Sequence, residues 1–397
     1  MKQVLINDIE TPYFIVDLNE LKKNVTNLKE EFQKRWNNVI IGYSFKTNSL
    51  PWIITTLKKM GLYAEVVSKD EYELAKFLGY EINKIIYNGP IKSKESFLEA
   101  LNHGAIVNID SFQEIEWLKE IKVRNKKLKL GIRINFDLEK YCPNETSAGK
   151  RGGRFGFNFE NGEFLKALKL LKKIENIAIA GIHLHTSSKT RSLNIYKELA
   201  KFAIVIKKMG INLEYVDIGG GFFGGLSNKP QYSEYAEIIC EILKKEFDEK
   251  TSLIIEPGAS IIASPISFVT EVKSIKEVKE IRLITINGSC INLNPLMQNK
   301  KYFYKFHFKD KEEREKVRKQ LIVGFTCMEN DELFELDDET KLKEGDLIEF
   351  QKIGSYTMTL SPLFIEYFPV VVIKDGNNHY LVRERWTYEE IIQKNYF

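Results

Sequence analysis

Short apolar runs alternate with segments of helical period through most of this chain, and no other feature constrains its fold as tightly. The runs fall at 39–45, 63–67, 84–87, 105–109, 128–134, 177–184, 213–218 and 253–255. Between nearly every neighbouring pair lies a stretch whose apolar residues recur three and four apart, as at 49–60, 69–78, 93–102, 111–122, 161–174, 193–209 and 232–247. Strands that alternate with helices must run parallel, because each parallel neighbour needs a crossover and the helices cover the sheet faces. Eight such repeats within about 250 residues have the size of a closed (β/α)8 TIM barrel. An open doubly wound sheet is the competing arrangement.

The texture changes after Pro265. Strand patterns at 266–278, 280–287, 319–323, 346–353, 368–373 and 379–382 follow one another with few intervening helices. The expected fold is therefore α/β, a (β/α)8 barrel over 21–264 and a C-terminal β domain, sandwich- or barrel-like, over 265–397. The segment 1–20 supplies an N-terminal strand that joins the β domain.

Composition removes several function classes. The 59 basic and 55 acidic residues are mixed along the chain and leave a net charge of only +4, so no nucleic-acid face is expected. Lysine runs such as Lys126-Lys127 and Lys244-Lys245 read as solvated surface. No apolar run reaches the roughly 18 residues of a membrane span, and no leader pattern opens the chain, so a cytoplasmic protein is expected. Cys142, Cys240, Cys290 and Cys327 are scattered, which argues against a disulfide framework and a structural zinc site.

The chemistry collects where a barrel keeps its active site, at the carboxyl ends of the strands. Lys46 follows the first strand, Glu65 and Ser68 the second, Asn88 the third, Arg133 the fifth and His185 the sixth. Gly219, Gly220 and Gly221 follow the seventh, and Glu256 with Pro257-Gly258 the eighth. A lysine at the end of an apolar strand either snorkels to water or, when partly desolvated, attacks a carbonyl to form a Schiff base. The glycine run is either a flexible turn or a cradle of three backbone N–H groups for phosphate. His183 and His185 share a strand face, yet no third ligand at suitable spacing is evident, so no metal is expected. A Schiff-base lysine, a phosphate cradle, a stacking imidazole and an acid facing a ring nitrogen together describe a pyridoxal 5′-phosphate site.

With these residues in place, the sequence resembles the diaminopimelate and ornithine decarboxylase family, the barrel-type or fold-type III pyridoxal phosphate enzymes. The resemblance runs from Thr11 to about Phe364. It rests on Thr11-Pro-Tyr, Phe45-Lys-Thr-Asn, Glu65-Val-Val-Ser68, Arg154-Phe-Gly156 and His183-Leu-His185, then on Gly219-Gly-Gly221, Glu256-Pro-Gly258, Gly324-Phe-Thr-Cys327 with Asp331, and Gly354-Ser-Tyr356. It implies that Lys46 is the Schiff-base lysine, that His185 stacks on the pyridine ring and that Glu256 pairs with its nitrogen. Gly219 to Gly221, Ser188 and Tyr356 would hold the phosphate, with Glu65, Arg133 and Gly258 completing the cofactor site. It further implies a head-to-tail homodimer with shared active sites, in which Cys327 enters the partner's site and protonates the carbanion left by CO2.

The departures fall at the positions expected to meet substrate: Ala259, Asn294, Met328 and, beside them, Asp331. Where the family carries arginine after Glu-Pro-Gly, this chain has Ala259; Asn294 replaces a second arginine, and Met328 replaces an acid. Loss of two cations and one anion leads to the expectation that meso-diaminopimelate is a poor substrate. The expected activity is decarboxylation of another α-amino acid to an amine and CO2. A racemase on the same fold, or a catalytically silent binding protein, stays open as an alternative.

Overall fold

The computed structural model describes residues 2–121, 127–248, 250–297 and 301–396. Lys126, and the helix end expected at Lys122, lie outside the described residues. The chain divides into two compact units, Asn24–Ser260 and Met1–Lys23 with Ile261–Phe397.

The first unit is a closed barrel. Its strands are β1 (Val39–Ser44), β2 (Tyr63–Val66), β3 (Ile85–Tyr87), β4 (Ile106–Ile109), β5 (Leu128–Asn135), β6 (Ile177–His183), β7 (Tyr215–Asp217) and β8 (Ser252–Ile255). Each pairs in parallel with the next. The ring closes where Leu253, Ile254 and Ile255 of β8 pair with Val39, Ile40 and Ile41 of β1. The open-sheet alternative is thereby excluded. Near-continuous apolar strands suit this position, because both of their faces are covered. Ser68, Ser93 and Ser192 start the helices at 69–77, 94–102 and 193–208 by accepting a hydrogen bond from the amide three residues ahead.

The barrel interior is filled by one large side chain set against two absent ones. Tyr215 of β7 is 8% exposed and packs with Ile86, Ala180 and Ile254. A Cβ at Gly181 would lie 2.2 Å from its ring, and one at Gly131 would lie 2.1 Å from its hydroxyl. The hydroxyl donates to Asn108 Oδ1 at 2.7 Å, which satisfies its hydrogen-bonding need in a dry core.

In the second unit, Tyr13–Asp17 lies between two strands, antiparallel to Ile266–Val278 and parallel to Val370–Asp375. The sheet continues through Ile281–Ile286, Lys316–Val323 and Glu332–Thr340 on one side, and through Asn378–Arg383 and Lys2–Val4 on the other. Phe303–His307 joins through Leu347–Gln351. Three of these strands have no counterpart in the sequence reading, and one of them, Lys2–Val4, is only three residues long. Glu332–Thr340 carries five acids in nine residues and Phe303–His307 is mostly exposed, so neither shows the apolar alternation that marks a half-buried strand.

Candidate active site

Lys46 sits in a single turn of 3-10 helix, Phe45–Thr47, where β1 ends. Its side chain is 39% exposed, and Nζ lies 2.7 Å from Glu65 Oε2 and 2.7 Å from Ser44 Oγ. The amine is therefore held by a carboxylate and a hydroxyl, where the sequence suggested only apolar surroundings. Glu65 is buried; it also accepts from Ser44 Oγ at 2.5 Å and from Asn88 Nδ2 at 3.1 Å. Beneath this group, burial and then the Glu65 charge push the Glu71 carboxyl up to about 7.

Glu256 follows β8 and is 6% exposed. Asn88 Nδ2 donates to its Oε1 at 2.5 Å, and His183 Nε2 lies 3.3 Å from its Oε2. Atoms of His183, Asp217 and Glu256 all come within 4.8 Å of one another. No spacing in the sequence marks a third group near the histidines, because the two carboxylates arrive from neighbouring strands. Burial, the largest influence, would raise the Glu256 carboxyl; the His183 ring, Asp217 and Lys46 outweigh it and hold the group well below the usual carboxylate range. Asp217 moves the opposite way, raised by burial and by the Glu256 charge.

His185 lies just beyond β6. Burial first, then the positive charge of Arg133, pulls its ring down to about 3, so it is a neutral imidazole at physiological pH. The His183 and His185 rings lie nearly parallel, at 9°, with centroids 6.2 Å apart. The glycine run packs against them. Gly219 has φ +74, and a Cβ there would stand 2.4 Å from His185 Nδ1; a Cβ at Gly220 would stand 1.9 Å from the Glu256 carbonyl. Two of the three amides are already committed, Gly219 N to Asp217 Oδ1 at 2.8 Å and Gly220 N to His185 Nδ1 at 3.4 Å. Backbone packing alone thus requires glycine at 219 and 220.

Arg133 is buried at the end of β5, 3.4 Å from Asp110 Oδ2 and 3.4 Å from the His185 carbonyl. Ser188 Oγ accepts from the Thr190 and Arg191 amides and donates to the Glu145 carbonyl, so it organises the turn before the helix at 193–208. A Cβ at Gly258 would come within 2.0 Å of Thr47 Oγ1, which explains the glycine after Pro257. Ala259 opens the short helix Ala259–Ile262.

In the second unit Cys327 is exposed. Tyr356 is 40% exposed and has φ +59. Asn294 ends the helix Cys290–Leu293, and Met328 N donates to Thr326 Oγ1 at 3.4 Å. Asp331 is 3% exposed, and its carboxylate accepts from Ser289 Oγ, the Cys290 amide, and the Thr326 amide and hydroxyl. Asp331 therefore fastens the Cys327 turn to the helix beside it. Ser44, Asn88, His183 and Asp217 received no role from the sequence; their positions at strand ends were the available signal.

An amine, a neutral flat imidazole and a buried ionised acid at one end of a (β/α)8 barrel define the class of barrel-type pyridoxal phosphate enzymes, and this donor set fits pyridoxal 5′-phosphate. A family model described as "Pyridoxal-dependent decarboxylase, pyridoxal binding domain" matches residues 18–263. The chain belongs to that family and is a pyridoxal phosphate-dependent amino-acid decarboxylase. It is 27% identical to a diaminopimelate decarboxylase of Methanocaldococcus jannaschii over 97% of this chain and 91% of that protein. A diaminopimelate decarboxylase of Aquifex aeolicus is also 27% identical, over 96% of this chain and 91% of that one. The crystal structure of the M. jannaschii enzyme matches with a TM-score of 0.86 at 26% identity, covering 98% of this chain and 93% of that one.

These relatives correct the expectation that meso-diaminopimelate is a poor substrate. Ala259, Asn294 and Met328 are only three positions of a recognition surface. A charged distal group can be held by donors and acceptors that no motif marks, so three lost partners do not decide a substrate. Among the described residues, no helix is long and apolar enough to cross a membrane.

Proposed function

We propose that this protein removes a carboxylate from diaminopimelate, leaving lysine and CO2, and that it does so as a homodimer with shared sites. The observation that carries the reading is the similarity to diaminopimelate decarboxylases along nearly the whole chain. A structure of the M. jannaschii relative in complex with L-lysine supports it further.

When bound, pyridoxal 5′-phosphate supplies an electron sink for the pair left at Cα as the carboxylate departs. Lys46 would bond the cofactor's carbonyl carbon, and Ser44 and Glu65 would aim its Nζ. Glu256 would keep a proton on the ring nitrogen, because a buried and fully ionised carboxylate is the strongest available acceptor there. His185, neutral, would lie against the flat ring without adding charge to it. Gly219 to Gly221, Gly258, Ser188 and Tyr356 would surround the phosphate, with Arg133 fixing the His185 backbone. Cys327 Sγ would hold the proton that ends on Cα; its exposure within one chain suits a residue that acts in a second copy. A cytoplasmic location accompanies this reading.

Purified protein, pyridoxal 5′-phosphate and meso-diaminopimelate should yield lysine and CO2 at about 1 to 100 turnovers per second. Absence of lysine, with amine formed from ornithine, arginine or lysine instead, would overturn the substrate.

A further inference from the structure

The acid assigned to the ring nitrogen does not stand alone. Asp217 is fully buried; its Oδ1 accepts from the Gly219 amide at 2.8 Å, while Oδ2 is buried without a hydrogen-bond donor among the described residues. A buried carboxylate oxygen without a donor, next to a second carboxylate, is an arrangement that one added proton resolves. The neighbouring cations are engaged elsewhere. Arg133 faces Asp110 and the His185 carbonyl, and Lys46 faces Glu65 and Ser44. His183 is 1% exposed, and among the described residues neither of its ring nitrogens has a hydrogen-bond partner; its Nε2 sits 3.3 Å from Glu256 Oε2 but off the hydrogen-bonding direction.

We infer that Asp217 carries a proton and donates it to Glu256, making Asp217 a positioning residue that keeps Glu256 ionised toward the cofactor ring. The groups that face Asp217 are His183 from β6, Glu256 after β8, Glu65 from β2, Arg133 from β5 and Tyr215 on its own strand. Glu256 and Glu65 set two further carboxylates near Asp217, and the opposed shifts of Asp217 and Glu256 agree with one proton resting on Asp217. The inference rests on Glu256 as the ring-nitrogen acid.

The test uses infrared spectroscopy of the full chain without cofactor at neutral pH. A carboxylic-acid carbonyl band should be present, should move when aspartate carries 13C in its carboxyl group, and should vanish in Asp217→Asn. Asparagine keeps the acceptor for the Gly219 amide, so this variant retains the local turn; if it does not fold, the isotope shift in the unaltered protein decides. No acid band, or one that ignores the aspartate label, overturns the inference and moves the proton to His183 or Glu256. A separate arm tests the underlying reading. Glu256→Gln should weaken pyridoxal 5′-phosphate binding by about tenfold or more, measured by absorbance titration. Unchanged binding there, with the aspartate band intact, removes Glu256 from the ring nitrogen and leaves the Asp217 proton standing.

Discussion

At the scale of single residues, Lys46 is the position on which the chemistry turns. Lys46→Ala should abolish turnover and the absorbance band of the bound cofactor. Lys46→Arg should do the same, since a guanidinium keeps its charge and cannot act as the nucleophile. Borohydride treatment of the unaltered protein, followed by mass analysis of the 45–47 peptide, is the matching positive result. Glu71 makes a second prediction. Its carboxyl, at about 7 in the folded chain, is raised above its ordinary value by burial and by Glu65. The stability it contributes is full below about pH 4.5 and is lost as pH rises through 7. Glu71→Gln should therefore gain up to about 3 kcal/mol relative to the unaltered protein between pH 5 and 8, measured by denaturant unfolding at several pH values. Equal pH slopes for the two proteins would exclude that shift.

At the scale of elements, the turn after β7 couples backbone shape to the imidazole. Gly219→Ala must adopt a left-handed φ and pushes a Cβ toward His185. A cost of about 1–3 kcal/mol is expected in unfolding experiments, together with weaker cofactor binding. This scale also separates what the sequence makes legible from what it hides. Strand ends were readable because apolar runs stop abruptly at Lys46, His185 and Glu256, whereas Glu65 lies inside its strand. The duties of Ser188 and Asp331 were not, because serine and aspartate organise turns through the same hydrogen bonds with which they would grip a ligand. The pairing of Gly131 and Gly181 with Tyr215 was equally hidden. It depends on register between strands that lie far apart in the chain.

At the scale of the whole molecule, the proposed sharing of active sites between two copies makes a quantitative prediction. Chains carrying only Lys46→Ala and chains carrying only Cys327→Ala should both be impaired. Unfolded together and refolded as a mixture, they should regain about a quarter of the unaltered activity, since half the dimers are mixed and each mixed dimer has one intact site. No recovery, with mixed dimers verified by mass, would place both residues in the same chain's site. The substrate is the level at which sequence reading failed. Motif positions report which chemistry is performed, whereas recognition of a substrate's far end is spread over residues that carry no signature.

Three hydrogen bonds inside the barrel run in series toward Glu256. Tyr215 donates to Asn108, Asn108 to Asn88, and Asn88 to Glu256. The acid is thus anchored by a column that begins on the strands and reaches it through Asn88, the residue directly after β3. Loops above the strands are consequently free to diversify without disturbing the acid. A breeder of new specificities should randomise those loops and leave the column alone; a library that touches Asn88, Asn108 or Tyr215 would lose its catalysts before it found new substrates.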